Sequence, residues 1–211
     1  MKKLVIIGAG DGARVVSQLV KGQKGLKLEG FIDDNKSLQG KKINGYRVLG
    51  RTSDLNKFSG YGFVVAIGLN IKARRSLFEK AKKAGLKPVN IIHKSAVIDK
   101  TAEISKGAII LPNCVVGAFA RLSDNVFLFS GVIIEHDAKI GNNVYLSPGV
   151  SLAGHTKAGN NTFFGINSCT VENISVGSDV IVGAGAVILK DVPDKMVVAG
   201  VPARIIRKNN G

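Results

Sequence analysis

Residues 110–145 read ILPNCV VGAFAR LSDNVF LFSGVI IEHDAK IGNNVY, and every group of six begins with Ile, Leu or Val. The pattern holds at each sixth position from Ile98 to Ile188, where 14 of 16 residues are bulky and apolar and only Ala158 and Thr170 depart. The residue four places after each of the first fifteen is small or β-branched. This six-residue period predicts a β-helix, in which every repeat supplies one short strand.

The residues before the repeat have the pattern of a small α/β unit. In chain order we predict a strand at Leu4–Ile7, a helix after the turn 8–12, strands at Leu28–Ile32 and Phe63–Ile67, and a helix at Lys72–Ala84. Strands that alternate with helices favour a parallel sheet. Such sheets bind ligands beyond the carboxyl ends of their strands. Segments 8–12, 33–34 and 68–70 are therefore expected to meet in one crevice.

The predicted fold is an α/β domain followed by an all-β parallel β-helix. We place a small Rossmann-like domain at 1–95, the β-helix at 96–192 and a C-terminal cap at 193–211. Residues 1–95 carry 20 Lys and Arg against 6 Asp and Glu, whereas 96–211 carry 10 against 9. Because no aromatic platform or helix-turn-helix accompanies the basic charge, we predict a solvated surface and no binding to nucleic acid.

The sequence also indicates where the protein works. No apolar run approaches the roughly 20 residues that cross a bilayer, so we expect no integral membrane segment. The first apolar run stops at Gly8, which favours a buried strand over a signal peptide. Cys114 and Cys169 lack metal-type spacing, which is typical of a protein in the reducing cytoplasm.

Seven segments carry a resemblance to one family of enzymes. They are IGAG at 7–10, FIDD at 31–34, AIG at 66–68, IIHKSA at 91–96, IEHD at 134–137, FGINS at 164–168 and GVPA at 200–203. The chain resembles the nucleotide-sugar and sialic-acid acetyltransferases, which include N-acetyltransferases of UDP-linked 4-amino-sugars in bacterial glycan pathways. The resemblance implies a left-handed β-helix with three repeats per coil, a homotrimer, acetyl-CoA as co-substrate and no metal.

With three repeats per coil, residues 18 apart lie on neighbouring coils, about 4.8 Å apart. Asp137 is then expected beside His155, with Asn173 one coil further, and His136 beside Gly154, which leaves open space next to the histidine. Imidazole is suited to taking a proton near neutral pH, and a carboxylate on its other nitrogen raises its basicity. We predict that His136 is the general base and Asp137 its partner, the roles that the resemblance also implies.

The resemblance assigns the other ligand contacts. It places acetyl-CoA at Tyr145, Gly154, Ile166 and Ala184. It places the nucleotide-sugar at Gly10, Asp11, Gly12, Asp33, Asp34 and Gly68, with Asn70 close by. The chain departs from the family twice, because many relatives have His where it has Tyr145 and Gly-His where it has Asp11-Gly12.

Several functions are compatible with these residues. The favoured one is direct transfer of acetyl from acetyl-CoA to the amine of a nucleotide-linked 4-amino-sugar at the trimer interface. Alternatives are O-acetylation of a sialic-acid-type sugar and a non-catalytic β-helix scaffold. The fingerprint Gly8-x-Gly10-x-x-Ala13 is a weak signal for NAD in so short a domain. A zinc hydratase needs three histidine ligands, and the three histidines here have no such spacing.

Overall fold

Leu4–Ile7 is apolar at every position and forms the fully buried centre of the first sheet. The structure is a computed structural model that describes residues 1–68 and 70–210. It divides into two compact units, Met1–Ile92 and the residues from His93 onward. Leu69, in the predicted segment 68–70, and Gly211, in the predicted cap, lie outside the described residues.

Six strands form the sheet of the first unit: Lys2–Ile7 (β1), Leu26–Ile32 (β2), Lys42–Ile43 (β3), Tyr46–Gly50 (β4), Gly62–Val65 (β5) and Lys87–Pro88 (β6). A further short strand, Ile91–Ile92 (β7), ends this unit. The six strands of the sheet are joined by the helices Asp11–Lys21 (α1) and Ile71–Lys83 (α2) and by 3₁₀ segments at Lys36–Leu38 and Thr52–Phe58. The sheet order is β3-β4-β2-β1-β5-β6, with parallel pairing except between β3 and β4. The carboxyl ends of β2, β1 and β5 therefore lie side by side, as predicted.

Helix α2 is fixed at its start and along its apolar side. The Asn70 side chain accepts a hydrogen bond from the Ala73 N–H at 2.9 Å, which satisfies one of the unpaired amides of the first turn. Phe78 and Ala81 pack among Val5, Phe63 and other buried residues of the sheet. Burial of these side chains provides the main stabilisation of the helix.

A hairpin between β2 and β5 was not predicted. Strands β3 and β4 pair across Asn44 and Gly45, whose φ angles are 49° and 86°. Two central residues with positive φ form the turn that matches the twist of paired strands, and Asn-Gly is the preferred sequence for it. The signal for this hairpin was therefore present in the sequence.

The second unit consists of two-residue strands at the predicted spacing. They are Val97–Ile98 (β8), Glu103–Ile104 (β9), Ile109–Ile110 (β10), Val115–Val116 (β11), Arg121–Leu122 (β12), Phe127–Leu128 (β13), Ile133–Ile134 (β14), Lys139–Ile140 (β15), Tyr145–Leu146 (β16), Ser151–Leu152 (β17), Lys157–Ala158 (β18), Phe163–Phe164 (β19), Cys169–Thr170 (β20), Ser175–Val176 (β21), Ile181–Val182 (β22) and Val187–Ile188 (β23). Every strand pairs in parallel with strands 18 residues away, as Phe127 does with Tyr145.

These strands stack into three faces. The first face contains β10, β13, β16, β19 and β22, the second β8, β11, β14, β17, β20 and β23, and the third β9, β12, β15, β18 and β21. The large residue of each repeat points inward, and Leu128, Ile134 and Leu146 have no exposed surface. The predicted fold class is thus confirmed: a small parallel α/β unit followed by a left-handed parallel β-helix.

After the repeats, the chain extends the first face. Met196–Ala199 (β24) pairs in parallel with β22, and Arg204–Lys208 (β25) pairs with β24 in the antiparallel direction. The predicted domain boundaries at residues 95 and 192 stay predictions. Neither α1 nor α2 is long and apolar enough to cross a bilayer, and the described part of the chain contains no other helix that is.

Polar side chains form a ladder along one edge of the coil. The Asn125 amide donates to Asn143 Oδ1 at 2.9 Å, Asn143 donates to Asn161 at 3.1 Å, and Asn161 donates to Asp179 at 3.0 Å. All four residues have φ near +60°. Asparagine suits these positions because it tolerates this backbone conformation and its amide both donates and accepts.

We predict that Asn143→Ala lowers the free energy of unfolding by about 1–3 kcal/mol, because it removes two hydrogen bonds of the side-chain ladder. Urea denaturation measures this loss. Asn167→Ala is the matched control, since Asn167 has a similar φ of 55° but an exposed side chain. Equal losses in both variants would show that only the backbone conformation matters and that the ladder adds nothing.

Candidate active site

His136 and Asp137 lie where the chain turns from the second face to the third. We call these turns, residues 117–120, 135–138, 153–156 and 171–174, the second edge. His136 Nδ1 and Asp137 Oδ2 are 3.0 Å apart, and both side chains are about half exposed. Because a carboxylate only accepts, Nδ1 carries the hydrogen and donates it, and Nε2 of the neutral ring keeps a lone pair. The predicted pair is therefore hydrogen-bonded, and the roles of general base and partner stay a prediction.

The surroundings of His136 favour its charged form. The hydrogen bond to Asp137 is the largest cause that raises the pKa of His136 above its ordinary value, and the negative charges of Asp137, Glu135 and Glu172 act in the same direction. Loss of hydration opposes them. His136 is thus a stronger base than a free imidazole.

Gly154 lies one coil beyond His136 and makes room for the imidazole. A Cβ atom at residue 154 would be 2.7 Å from both Cε1 and Nε2 of the ring, closer than real Cβ contacts allow. The open space expected beside His136 is therefore not free: the imidazole itself fills it. In the described part of the chain, the Gly154 N–H donates to no protein group.

His155 and Asn173 follow in the stack, as predicted. The His155 N–H donates to the His136 carbonyl and the Asn173 N–H to the Gly154 carbonyl, both at 3.0 Å. The rings of His136 and His155 are perpendicular, with centroids 5.2 Å apart. One ligand atom from each of His136, Asp137 and His155 lies within 4.8 Å of the others, so these three are the residues here that could approach a metal ion.

The residues predicted to bind acetyl-CoA do not all meet in one chain. Ile166 and Ala184 are exposed and lie on neighbouring coils where the first face turns to the second, and the Gly185 N–H donates to the Ile166 carbonyl at 2.7 Å. Gly154 lies on a different edge, beside His136. Ile166 and Ala184 thus form one pair and Gly154 and His136 another, on separate edges of the coil.

Tyr145 is placed differently from an exposed ligand contact. It is only 6% exposed in the described chain. Its ring lies between those of Phe127 and Phe163, with centroids 5.2 and 5.5 Å away, and Phe129 packs on the same cluster. A tyrosine fits this aromatic column on the first face, whereas its contact with a cofactor stays a prediction.

In the first unit, segments 8–12 and 33–34 come together at the carboxyl ends of β1 and β2, and residues 66–68 follow β5 at the same edge of the sheet. Asp33 holds the glycine-rich turn, because its Oδ2 accepts from the Ala9 N–H at 2.8 Å. Its Oδ1 accepts from the Asn35 N–H, also at 2.8 Å. Gly8 lies against Ala66 and Ile67, which follow β5. Asp33 is thus a structural support of the crevice wall in the absence of any ligand.

The other residues predicted to contact the nucleotide-sugar differ in how accessible they are to a ligand. Both carboxylate oxygens of Asp34 bind Thr52, through its N–H at 2.8 Å and its hydroxyl at 2.9 Å. A side chain added at Gly10 would meet open space, whereas one at Gly12 would approach the Ala66 carbonyl at 3.2 Å. Asp11 is 97% exposed at the start of α1. The accessible part of the turn is therefore Gly10 and Asp11; Gly68 follows β5 at the same end of the sheet.

Two family models match the chain. The model described as the PglD N-terminal domain covers residues 3–81, and the model described as the hexapeptide repeat of succinyl-transferase covers 107–148 and 156–190. Among curated proteins, the galactoside O-acetyltransferase of Escherichia coli is 43% identical over 37 residues. A tetrahydropyridine-dicarboxylate N-acetyltransferase of Staphylococcus aureus is 46% identical over 44 residues. These matches span only 18% of the length of either curated relative.

Solved structures match over nearly the whole chain. The acetyltransferase domain of PglB from Neisseria gonorrhoeae, in complex with acetyl coenzyme A, is 36% identical with a TM-score of 0.88. That match covers 97% of this chain and 99% of the other. PerB from Caulobacter crescentus, in complex with CoA and GDP-perosamine, is 29% identical with a TM-score of 0.91 and 98% coverage of both chains.

We predict that Asp137→Asn lowers the pKa of His136, because an amide still accepts the Nδ1–H hydrogen bond but carries no negative charge to stabilise the imidazolium. An NMR titration of the imidazole Cε1–H signal measures this pKa. Glu135→Gln is the matched control, since Glu135 raises the pKa of His136 only through its charge and is a smaller cause. An unchanged pKa in Asp137→Asn, or an equal fall in Glu135→Gln, would contradict the assignment of Asp137 as the partner.

Proposed function

This chain belongs to the nucleotide-sugar and sialic-acid acetyltransferases, a family of left-handed β-helix acyltransferases, and we propose that it transfers acetyl from acetyl-CoA to the amine of a nucleotide-linked 4-amino-sugar. The observation that carries the proposal is the His136–Asp137 hydrogen bond at an accessible edge, with Nε2 as the base. The whole-chain match to a perosamine N-acetyltransferase, solved with CoA and GDP-perosamine, supports an amine acceptor.

In the proposed reaction, His136 Nε2 takes the proton of the acceptor amine as its nitrogen attacks the thioester carbonyl. The C–N bond forms, and the C–S bond breaks when the tetrahedral intermediate collapses. The proton on Nε2 then passes to the sulfur of the departing CoA. Asp137 keeps its bond to Nδ1 and stabilises the imidazolium while the proton resides there.

The negative charge that develops on the carbonyl oxygen needs a donor. The Gly154 N–H suits this role, since no protein group in the described residues takes its hydrogen and Gly154 lies against the ring of His136. A fixed backbone donor aimed at the oxyanion lowers the barrier without reorganisation during the reaction. We place the acetyl carbonyl oxygen within reach of this N–H, with the attacking amine within reach of His136 Nε2.

The proposed site combines residues of two copies of the chain. Ile166 and Ala184 lie on a different edge from His136 and Gly154, and we place one acetyl-CoA against both sets by taking them from neighbouring chains. In a closed ring of three identical chains, the same contact is repeated at each interface. We therefore propose a homotrimer with transfer at each interface.

The acceptor's nucleotide is assigned to the crevice of the first unit. The open space at Gly10 and the exposed Asp11 leave the turn after β1 accessible, and Asp33 supports it from β2.

Cytoplasmic action fits the two free thiols, Cys114 and Cys169. The short match to a galactoside O-acetyltransferase keeps a sugar hydroxyl as the second candidate acceptor.

The proposal is tested by thiol release from acetyl-CoA over a panel of UDP-, GDP- and dTDP-4-amino-sugars. We expect turnover of one amino-sugar, and a loss of about 10²-fold or more in His136→Ala, since the base is removed. Turnover should fall as the pH drops through the raised pKa of His136, because only the neutral ring accepts a proton.

His93→Ala is the control, since His93 precedes the repeats and its Nδ1 accepts the Ser95 N–H at 3.1 Å in a local turn. That variant should keep full activity. Turnover of hydroxyl sugars in place of amino-sugars would establish the O-acetyltransferase alternative. Full activity of His136→Ala would refute the proposed base.

A further inference from the structure

A cavity of about 490 Å³ lies beside the second edge, on the side of the third face. Two columns of side chains line it over four coils, a span of roughly 14 Å. One column occupies the turns and includes Phe119, Asp137 and His155. The other column occupies the outward positions of third-face strands and includes Arg121, Lys139 and Lys157. Asp137, which is hydrogen-bonded to the proposed base, is one of the residues that line this cavity.

The second column is a ladder of like charges. Arg121 pairs with Lys139 and Lys139 with Lys157 in the strand register, so the backbones of these three residues lie on successive coils about 4.8 Å apart. Like charges placed opposite each other on neighbouring strands repel and destabilise the sheet. Glu103 lies 3.5 Å from Arg121, but Lys139 and Lys157 form no ion pair within residues 1–68 and 70–210. An anion held between these lysines would relieve the repulsion.

The backbone and the exposed ring of Phe119 also indicate that the cavity binds a ligand. It has a φ of 58°, in the left-handed region that a bulky side chain rarely adopts, and it is 60% exposed. The corresponding left-handed positions of the other repeats hold Gly, Asn, Asp or His. A strained backbone that presents an exposed aromatic ring beside a cavity points to a ligand as the reason for the residue.

We propose that this cavity holds the sugar diphosphate of the acceptor. The Phe119 ring packs against the apolar side of the sugar, and Lys139 and Lys157, with Arg121, bind the diphosphate oxygens. The amine then reaches His136. This inference rests on the proposed function and names the part of the site that orients its acceptor.

The distance between Asp137 and Lys139 favours the acceptor, rather than CoA, as the source of the bound phosphates. Asp137 and Lys139 are two residues apart, about 7 Å along the chain. In a nucleotide-linked 4-amino-sugar, one sugar ring separates the amine from the diphosphate, which fits that spacing. In acetyl-CoA the whole pantetheine arm separates the phosphates from the thioester, a longer distance than that between Asp137 and Lys139.

The proposed diphosphate site is tested with Lys139→Gln and with the Lys139→Gln, Lys157→Gln double variant. The substrate is the amino-sugar that the wild type turns over in the panel described above. The KM for the amino-sugar should rise about tenfold or more in each variant, through loss of a charge-assisted hydrogen bond, while the KM for acetyl-CoA stays unchanged. Lys139→Arg should restore most of the affinity. Lys106→Gln, an exposed lysine away from the cavity, is the control.

The outcomes separate the two proposals. If the wild type is active and the lysine variants keep its KM for the amino-sugar, the proposed diphosphate site is refuted, while the proposed acetyltransferase activity is not. A rise only in the KM for acetyl-CoA overturns the acceptor assignment, since the lysines would then bind CoA. If the wild type is inactive, the proposed function is refuted. Binding of the UDP-, GDP- and dTDP-4-amino-sugars, measured by calorimetry, then still tests the diphosphate site. Equal affinity of the wild type and the double variant would refute that site.

Phe119→Asn tests the aromatic contact by a signature that a structural role would not give. Asn adopts the left-handed backbone readily, so the melting temperature should equal or exceed that of the wild type. The KM for the amino-sugar should rise severalfold at the same time, because the packing surface for the sugar is lost. A lower melting temperature with an unchanged KM would show that Phe119 serves only the fold and would overturn its part in the proposal.

Discussion

The β-helix depends on one backbone constraint, a residue with positive φ at the fourth position of every repeat from the one that begins at Ile104 to the one that begins at Val182. From Gly107 to Gly185 this position is held almost without exception by Gly, Asn or Asp, which enter the left-handed region at little cost. The turn it creates redirects the chain, so that each two-residue strand begins a new face. The inward apolar residue of every repeat and the 18-residue register follow from the regular spacing of these turns.

The same constraint builds the candidate site. Asp137 and His155 occupy left-handed positions, with φ of 57° and 58°, so an acid and a histidine stand at the places where the fold most often puts Asn. His136 precedes such a position and lies over Gly154, where any larger residue would displace its ring. The candidate site thus uses the same backbone turns as the rest of the repeat, and the stacked coil holds its side chains in place.

The period, the coil register and the stacking of Asp137 with His155 could be predicted because they depend only on spacing along the chain. Side-chain placement could not be predicted in this way. The ring of His136 fills the space over Gly154, Thr52 takes both oxygens of Asp34, and Tyr145 is buried among aromatic neighbours, each because of contacts with residues that the repeat does not specify. The β3–β4 hairpin was missed although Asn44-Gly45 is its ordinary signal.

In the proposed reaction, His136 Nε2 receives the proton of the acceptor amine between two chains. A crystal structure of the protein with CoA and the amino-sugar that it acetylates is the decisive measurement. We expect the amine nitrogen about 2.6–3.2 Å from His136 Nε2, with Asp137 still bonded to Nδ1 and the Ile166–Ala184 edge of a neighbouring chain against CoA. An amine far from Nε2 and within hydrogen-bond distance of a different base would contradict it.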